Sequence, residues 1–79
     1  MTLENTTVGK VVKIKTIGGA GALRRRLLDM GLTPKTLISV IKVAPMGDPL
    51  VLSLRNYELT LRKEDAARIE VEDIILWKL

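Results

Sequence analysis

The sequence predicts a small, mainly β protein, a closed or nearly closed barrel of about five short strands with one short α-helix after the first strand. Three observations carry that expectation. Short runs of Val, Ile and Leu alternate with polar residues at the two-residue period of a half-buried sheet. Turn-forming residues recur about every eight to twelve positions, the spacing of a small sandwich or barrel. One stretch alone changes to the helical period, and it does so directly after a cluster of glycines.

The first strand is read at residues 9–17, where Val12 and Ile14 alternate with Lys13 and Lys15. Gly18-Gly19-Ala20-Gly21 ends it. From Ala22 onward Leu23, Leu27 and Met30 fall at i, i+4 and i+7, a stripe expected to be buried, while Arg25 and Asp29 point away from it. Gly31 stands where a helix ends on a left-handed residue, Leu32 is placed to pack back on the last turn, and Pro34 prevents continuation. Such a helix has about two and a half turns and needs tertiary contacts to persist.

Residues 36–43 form the second strand, with Leu37, Ser39, Ile41 and Val43 on one face and Ile38, Val40 and Lys42 on the other. Residues 44–49, Ala-Pro-Met-Gly-Asp-Pro, read as a loop. Residues 50–54 and 58–61 are two strands joined through Arg55-Asn56-Tyr57, where Asn56 is expected to take the positive φ of a tight hairpin. Residues 63–67 make one helical turn, and Ile69 and Val71 alternate with Glu70 and Glu72 in a last strand. The tail Ile74-Ile75-Leu76-Trp77 reads either as a closing strand or as a sticky end for self-association. With no linker, internal repeat or low-complexity segment, residues 1–79 read as a single domain.

Composition removes whole classes of chemistry. The chain has neither cysteine nor histidine, so it holds no disulfide, no thiolate zinc site and no imidazole to activate a nucleophile. Neither catalytic residues nor a cofactor are assigned, and a non-enzymatic role is expected. A metal would need carboxylates alone, from Glu64-Asp65 or Glu70-x-Glu72-Asp73, and these read instead as a solvated acidic face. No metal ligands are assigned. The first ten residues lack the apolar core of a signal peptide, and the apolar runs fall short of the ~18 residues of a membrane span. A soluble protein of the cytoplasm is expected.

The net charge of +4 is unevenly placed. Residues 1–42 carry eight cations against two acids, +6, whereas residues 43–79 carry five cations against seven acids, −2. A basic half steers acidic partners of any class. Gly19-x-Gly21 lacks the third glycine of a dinucleotide fingerprint, where Arg24 stands, and the Gly-Lys-Ser/Thr of a Walker loop, so it reads as a connector. Arg24, Arg25 and Arg26 are each turned about 100° from the next on a helix and fan out rather than form one patch. Stacking platforms for bases are restricted to Tyr57 and Trp77, so no nucleic acid is expected as partner. Leu28, off the buried stripe between Arg24 and Arg25, and Met46, on a Pro-Met-Gly turn, are each either a lid over the core or a contact for another protein.

Three blocks in order resemble a known family: Gly-Gly-Ala-Gly-x-Leu-Arg-Arg-Arg-Leu-Leu-Asp-Met-Gly-Leu-Thr-Pro at 18–34, Ala-Pro-Met-Gly-Asp-Pro at 44–49, and Arg-Asn-Tyr-Glu-Leu-Thr-Leu-Arg-Lys at 55–63. They look like the successive signatures of FeoA proteins, the small components of bacterial ferrous iron transport. Lys35 and Asn56 depart from that pattern, standing where the family commonly has glycine. The resemblance implies an SH3-like barrel that acts in the cytoplasm on FeoB, a membrane transporter with a GTP-binding domain. A similar domain occurs at the C-terminus of DtxR-like metal-dependent repressors, and a basic nucleic-acid-binding barrel is the other alternative. On this reading Arg24, Arg25, Leu28 and Met46 are the expected docking residues.

Overall fold

A computed structural model of the chain describes residues 1–19 and 21–74. Five strands, β1 (Val11–Ile17), β2 (Leu37–Val43), β3 (Leu50–Leu54), β4 (Tyr57–Leu61) and β5 (Ile69–Asp73), form one antiparallel sheet in the order β4-β3-β2-β1-β5. Helix α1 (Gly21–Asp29) lies between β1 and β2, a single turn α2 (Lys63–Ala66) between β4 and β5, and a 3-10 turn (Leu3–Asn5) precedes β1.

Register sets what is buried. Val12 faces Ile38, Ile14 faces Val71, Ile17 faces Ile69, Val40 faces Leu52, and Leu50 faces Leu61. Each is a cross-strand apolar pair on the inner face, the contact that stabilises a sheet. Register shifts between Ile14 and Thr16 and between Val40 and Lys42 mark bulges, which add twist and bend the sheet around its core. Leu27 of α1, Leu32, Ala66 of α2 and Leu3 complete that core from outside the sheet.

The helix ends as its sequence requires. Gly31 takes φ +98°, the Leu32 N–H donates to Leu27 O at 3.1 Å, and the Gly31 N–H donates to Leu28 O at 3.0 Å. These are the two reciprocal bonds of a Schellman close, and Leu32 turns back into the core.

One departure from expectation stands at the hairpin, and two burials complete the picture. The positive φ of the β3–β4 hairpin falls on Arg55, at +53°, and not on Asn56. Tyr57 is already strand, paired with Leu54, which shortens the turn to two residues and places the left-handed position on the first of them. Leu3, a lone apolar residue among polar neighbours and without a period to betray it, is fully buried. On β2 it is Ile38 and Val40 that are buried, while Leu37, Ile41 and Val43 are exposed to solvent.

The two sheet edges differ. Along β5 the Val71 N–H donates to Met1 O at 2.8 Å and Thr2 forms a bridge with Glu70, so the N-terminal residues cover that edge. Among the described residues β4 has a strand partner on its β3 side only, and the barrel stays open between β4 and β5. Ile74 is half-buried after β5, beside Leu37 and Lys13; Ile75, Leu76 and Trp77 lie outside the described residues. No described helix is long and apolar enough to cross a membrane.

Candidate functional site

The uneven charge of the sequence is offset in part by ion pairs between its two halves. Antiparallel pairing of β1 with β5 brings the basic first strand against the acidic last one: Lys10 meets Asp73 at 2.8 Å and Lys13 meets Glu72 at 3.7 Å. Glu70 faces the Met1 ammonium at 3.1 Å, Glu64 faces Arg62 at 3.9 Å, and Asp65 faces Arg26 at 3.0 Å. Each carboxylate of the two acidic runs is thus directed at a separate cation, rather than at a shared centre.

The three arginines of α1 do separate work. The Arg24 Nε–H reaches the Ile17 carbonyl at 3.3 Å and ties the helix start to the end of β1. Arg26 Nη2 donates to Asp65 Oδ2 and ties α1 to α2; the Asp65 side chain is 10% exposed and that of Arg26 61%. Arg25 is exposed and makes no hydrogen bond or ion pair among the described residues. It borders a shallow dip with Gly21, Ala22, Arg26, Asp29 and Met30. The Arg26–Asp65 bond joins a charged donor to a nearly buried carboxylate, with solvent screening from the Arg26 side. Arg26→Ala is expected to lower stability by about 1 kcal/mol, a fall of roughly 4–8 °C in melting temperature for a domain of this size. Thermal denaturation by circular dichroism, with Asp65→Asn alone and combined, measures the coupling.

Leu28 is half-buried and packs against the core cluster, so only its edge reaches the surface. Met46 is the opposite case, 90% exposed at the tip of the β2–β3 loop. That loop is braced from three directions. The Gly47 N–H donates to Ala44 O at 2.7 Å, the Ala44 N–H donates to Pro49 O at 3.0 Å, and Asp48 Oδ1 accepts the Lys63 N–H at 2.9 Å. The last bond satisfies the first free amide of α2, a capping task that Arg62 at the N-cap does not perform. A braced turn therefore holds an adaptable apolar side chain out in water.

Arg25 and Met46 are not in contact. Two adjoining depressions run between their elements, one lined by Arg26, Met30, Thr60, Leu61, Arg62 and Asp65, the other by Asp48, Pro49, Thr60 and Arg62. Thr60 and Arg62 are common to both, so the open margin of β4 links the helix to the loop. Periodicity marked neither residue, because their importance comes from strand order. The Arg26–Asp65 tie, 39 positions apart in sequence, was equally invisible.

A model of the FeoA domain matches residues 1–73. The chain is 39% identical over 72 residues to an Fe(2+) transport protein A/Fe(2+) transporter FeoB fusion protein of Porphyromonas gingivalis, covering 91% of this chain and 8% of that one. The solution structure of iron(II) transport protein A from Clostridium thermocellum superposes with a TM-score of 0.89 at 39% identity, over 94% of this chain and 46% of that one. The FeoA of Stenotrophomonas maltophilia, described as a prokaryotic SH3 domain protein, matches with a TM-score of 0.80 at 22% identity, over 91% of this chain and 89% of that one. The five-strand barrel is SH3-like.

Proposed function

This chain belongs to the FeoA family, and on that footing we propose that it is a non-enzymatic accessory component of ferrous iron transport, acting in the cytoplasm by docking on a FeoB-type transporter. The observation that carries the partner is the fusion of the two proteins in the Porphyromonas gingivalis relative, since covalent joining keeps two interacting modules at high effective concentration. The docking surface proposed is centred on Arg25 and Met46, with Arg24 and the exposed edge of Leu28 beside Arg25. Support for it is physical. Arg25 is a cation without an internal partner among the described residues, and Met46 is a polarizable side chain that contributes nothing to the core.

Arg25→Glu combined with Met46→Ser should leave the circular dichroism spectrum and melting temperature unchanged, because neither side chain is buried, and should weaken capture of the FeoB-type transporter from membrane extract about tenfold. Undiminished capture by a folded double variant retires this surface. Failure of the unaltered chain to capture the transporter retires the partner.

A further inference from the structure

Two non-glycine residues among those described hold a left-handed backbone, Lys35 at φ +74° and Arg55 at φ +53°. Both are cations, both are exposed, and both line the same surface depression, of about 490 Å³, with Thr33, Pro34, Thr36 and Leu37. They are 20 positions apart in sequence and meet through the β2–β3 register, which sets Ser39 opposite Ser53 and so carries Leu37 toward Arg55. Glycine would occupy either position without strain, whereas a side chain there costs conformational free energy.

The backbone is held in this state from both sides. The Lys35 N–H donates to Ile14 O at 2.7 Å, and the Ile14 N–H donates to Thr36 O at 2.9 Å. Among the described residues no carboxylate lines the depression, and neither Lys35 nor Arg55 makes an ion pair. Thr33 and Thr36 share one hydroxyl hydrogen bond of 2.8 Å; whichever donates, the other keeps an O–H to give. Beside these donors stand exposed Pro34 and Leu37, the latter 50% exposed.

We infer that this depression is a docking site for an acidic segment of a partner protein: one carboxylate lies between Lys35 and Arg55, and an adjacent aliphatic side chain rests on Pro34 and Leu37. A pair of unpaired cations with a spare hydroxyl recognises an oxyanion. The apolar lip selects a carboxylate borne on a hydrocarbon-bearing chain over a hydrated inorganic ion. The site is separate from Arg25 and Met46, and it stands whatever the identity of the partner.

The test uses the full chain, labelled with nitrogen-15, at low salt, titrated with the blocked peptide acetyl-Leu-Glu-Glu-Leu-amide. Saturable amide shifts are expected at Thr33, Lys35, Thr36, Leu37 and Arg55, and the peptide with Gln in place of Glu should produce none. Lys35→Gly and Arg55→Gly should each melt at the same or a higher temperature, because their φ angles suit glycine, and bind the acidic peptide about fivefold more weakly. Lys35→Gln repeats the binding test without altering the backbone. Unchanged affinity in these variants, shifts elsewhere on the molecule, or an equal response to the Gln peptide overturns the site. Inorganic phosphate producing the same shifts where the peptide produces none assigns the depression to a free oxyanion and overturns its assignment to a protein segment.

Discussion

Gly31→Ala is expected to lower stability by about 3 kcal/mol. Two costs combine. At φ +98° any residue with a Cβ is strained. A Cβ at that position also collides with the Tyr57 hydroxyl, which lies close against the glycine because it donates to the Met30 carbonyl at 2.7 Å. The substitution therefore strains the helix close and dislodges the bond that fastens the end of α1 to the start of β4. The total stability expected for a domain of this size is about 4–12 kcal/mol, so a large share is lost. The check is chemical denaturation of Gly31→Ala, Tyr57→Phe and the double variant. Removing the hydroxyl relieves the collision but not the φ strain, so the double variant should lose less than the sum of the two.

Leu27→Ala is expected to cost a similar amount, about 3 kcal/mol, through a different mechanism. Leu27 is completely buried and is the one residue of α1 that is, since Leu23 and Leu28 are only partly covered. A helix of nine residues does not persist alone, so its attachment rests on that side chain and on the Arg24 and Arg26 ties. Truncation removes buried methyl groups and leaves a cavity under the helix. A fall of roughly 12–24 °C in melting temperature should follow, whereas Leu27→Met, which conserves volume, should cost less than about 1.5 kcal/mol. Equal losses for the two would show that the side chain does not fill the core.

What the sequence disclosed follows from the range of each interaction. Gly31, Leu32 and Pro34 encode the helix end within four positions, and the alternation of Val12 with Lys13 encodes a strand locally, so both were legible. Leu27 was legible through its period. Leu3 was not, because burial of a single leucine depends on which surface the N-terminal turn meets. Local preference misled at the hairpin: Asn56 is intrinsically better suited to positive φ than Arg55, yet the pairing of Leu54 with Tyr57 decides which residue turns.

The candidate surfaces divide along the same line. Arg25 and Met46 stand out in sequence as a cation on the outer side of a helix and an apolar residue on a turn, and both are exposed. Leu28, read from the sequence as either a lid over the core or a contact, is half-buried against the core. The Lys35–Arg55 depression had only a faint trace, a lysine standing where the resemblance calls for glycine, because the other half of it arrives through strand register.

The unlike treatment of the two sheet edges limits how copies of this molecule can stack. Along the fifth strand the seam is already sewn by Met1 and Thr2, while among the described residues the fourth strand keeps a raw hem. Two molecules laid hem to hem would turn only sewn seams outward, so ladder growth would stop at a pair, where a chain raw on both flanks could run on into a fibre.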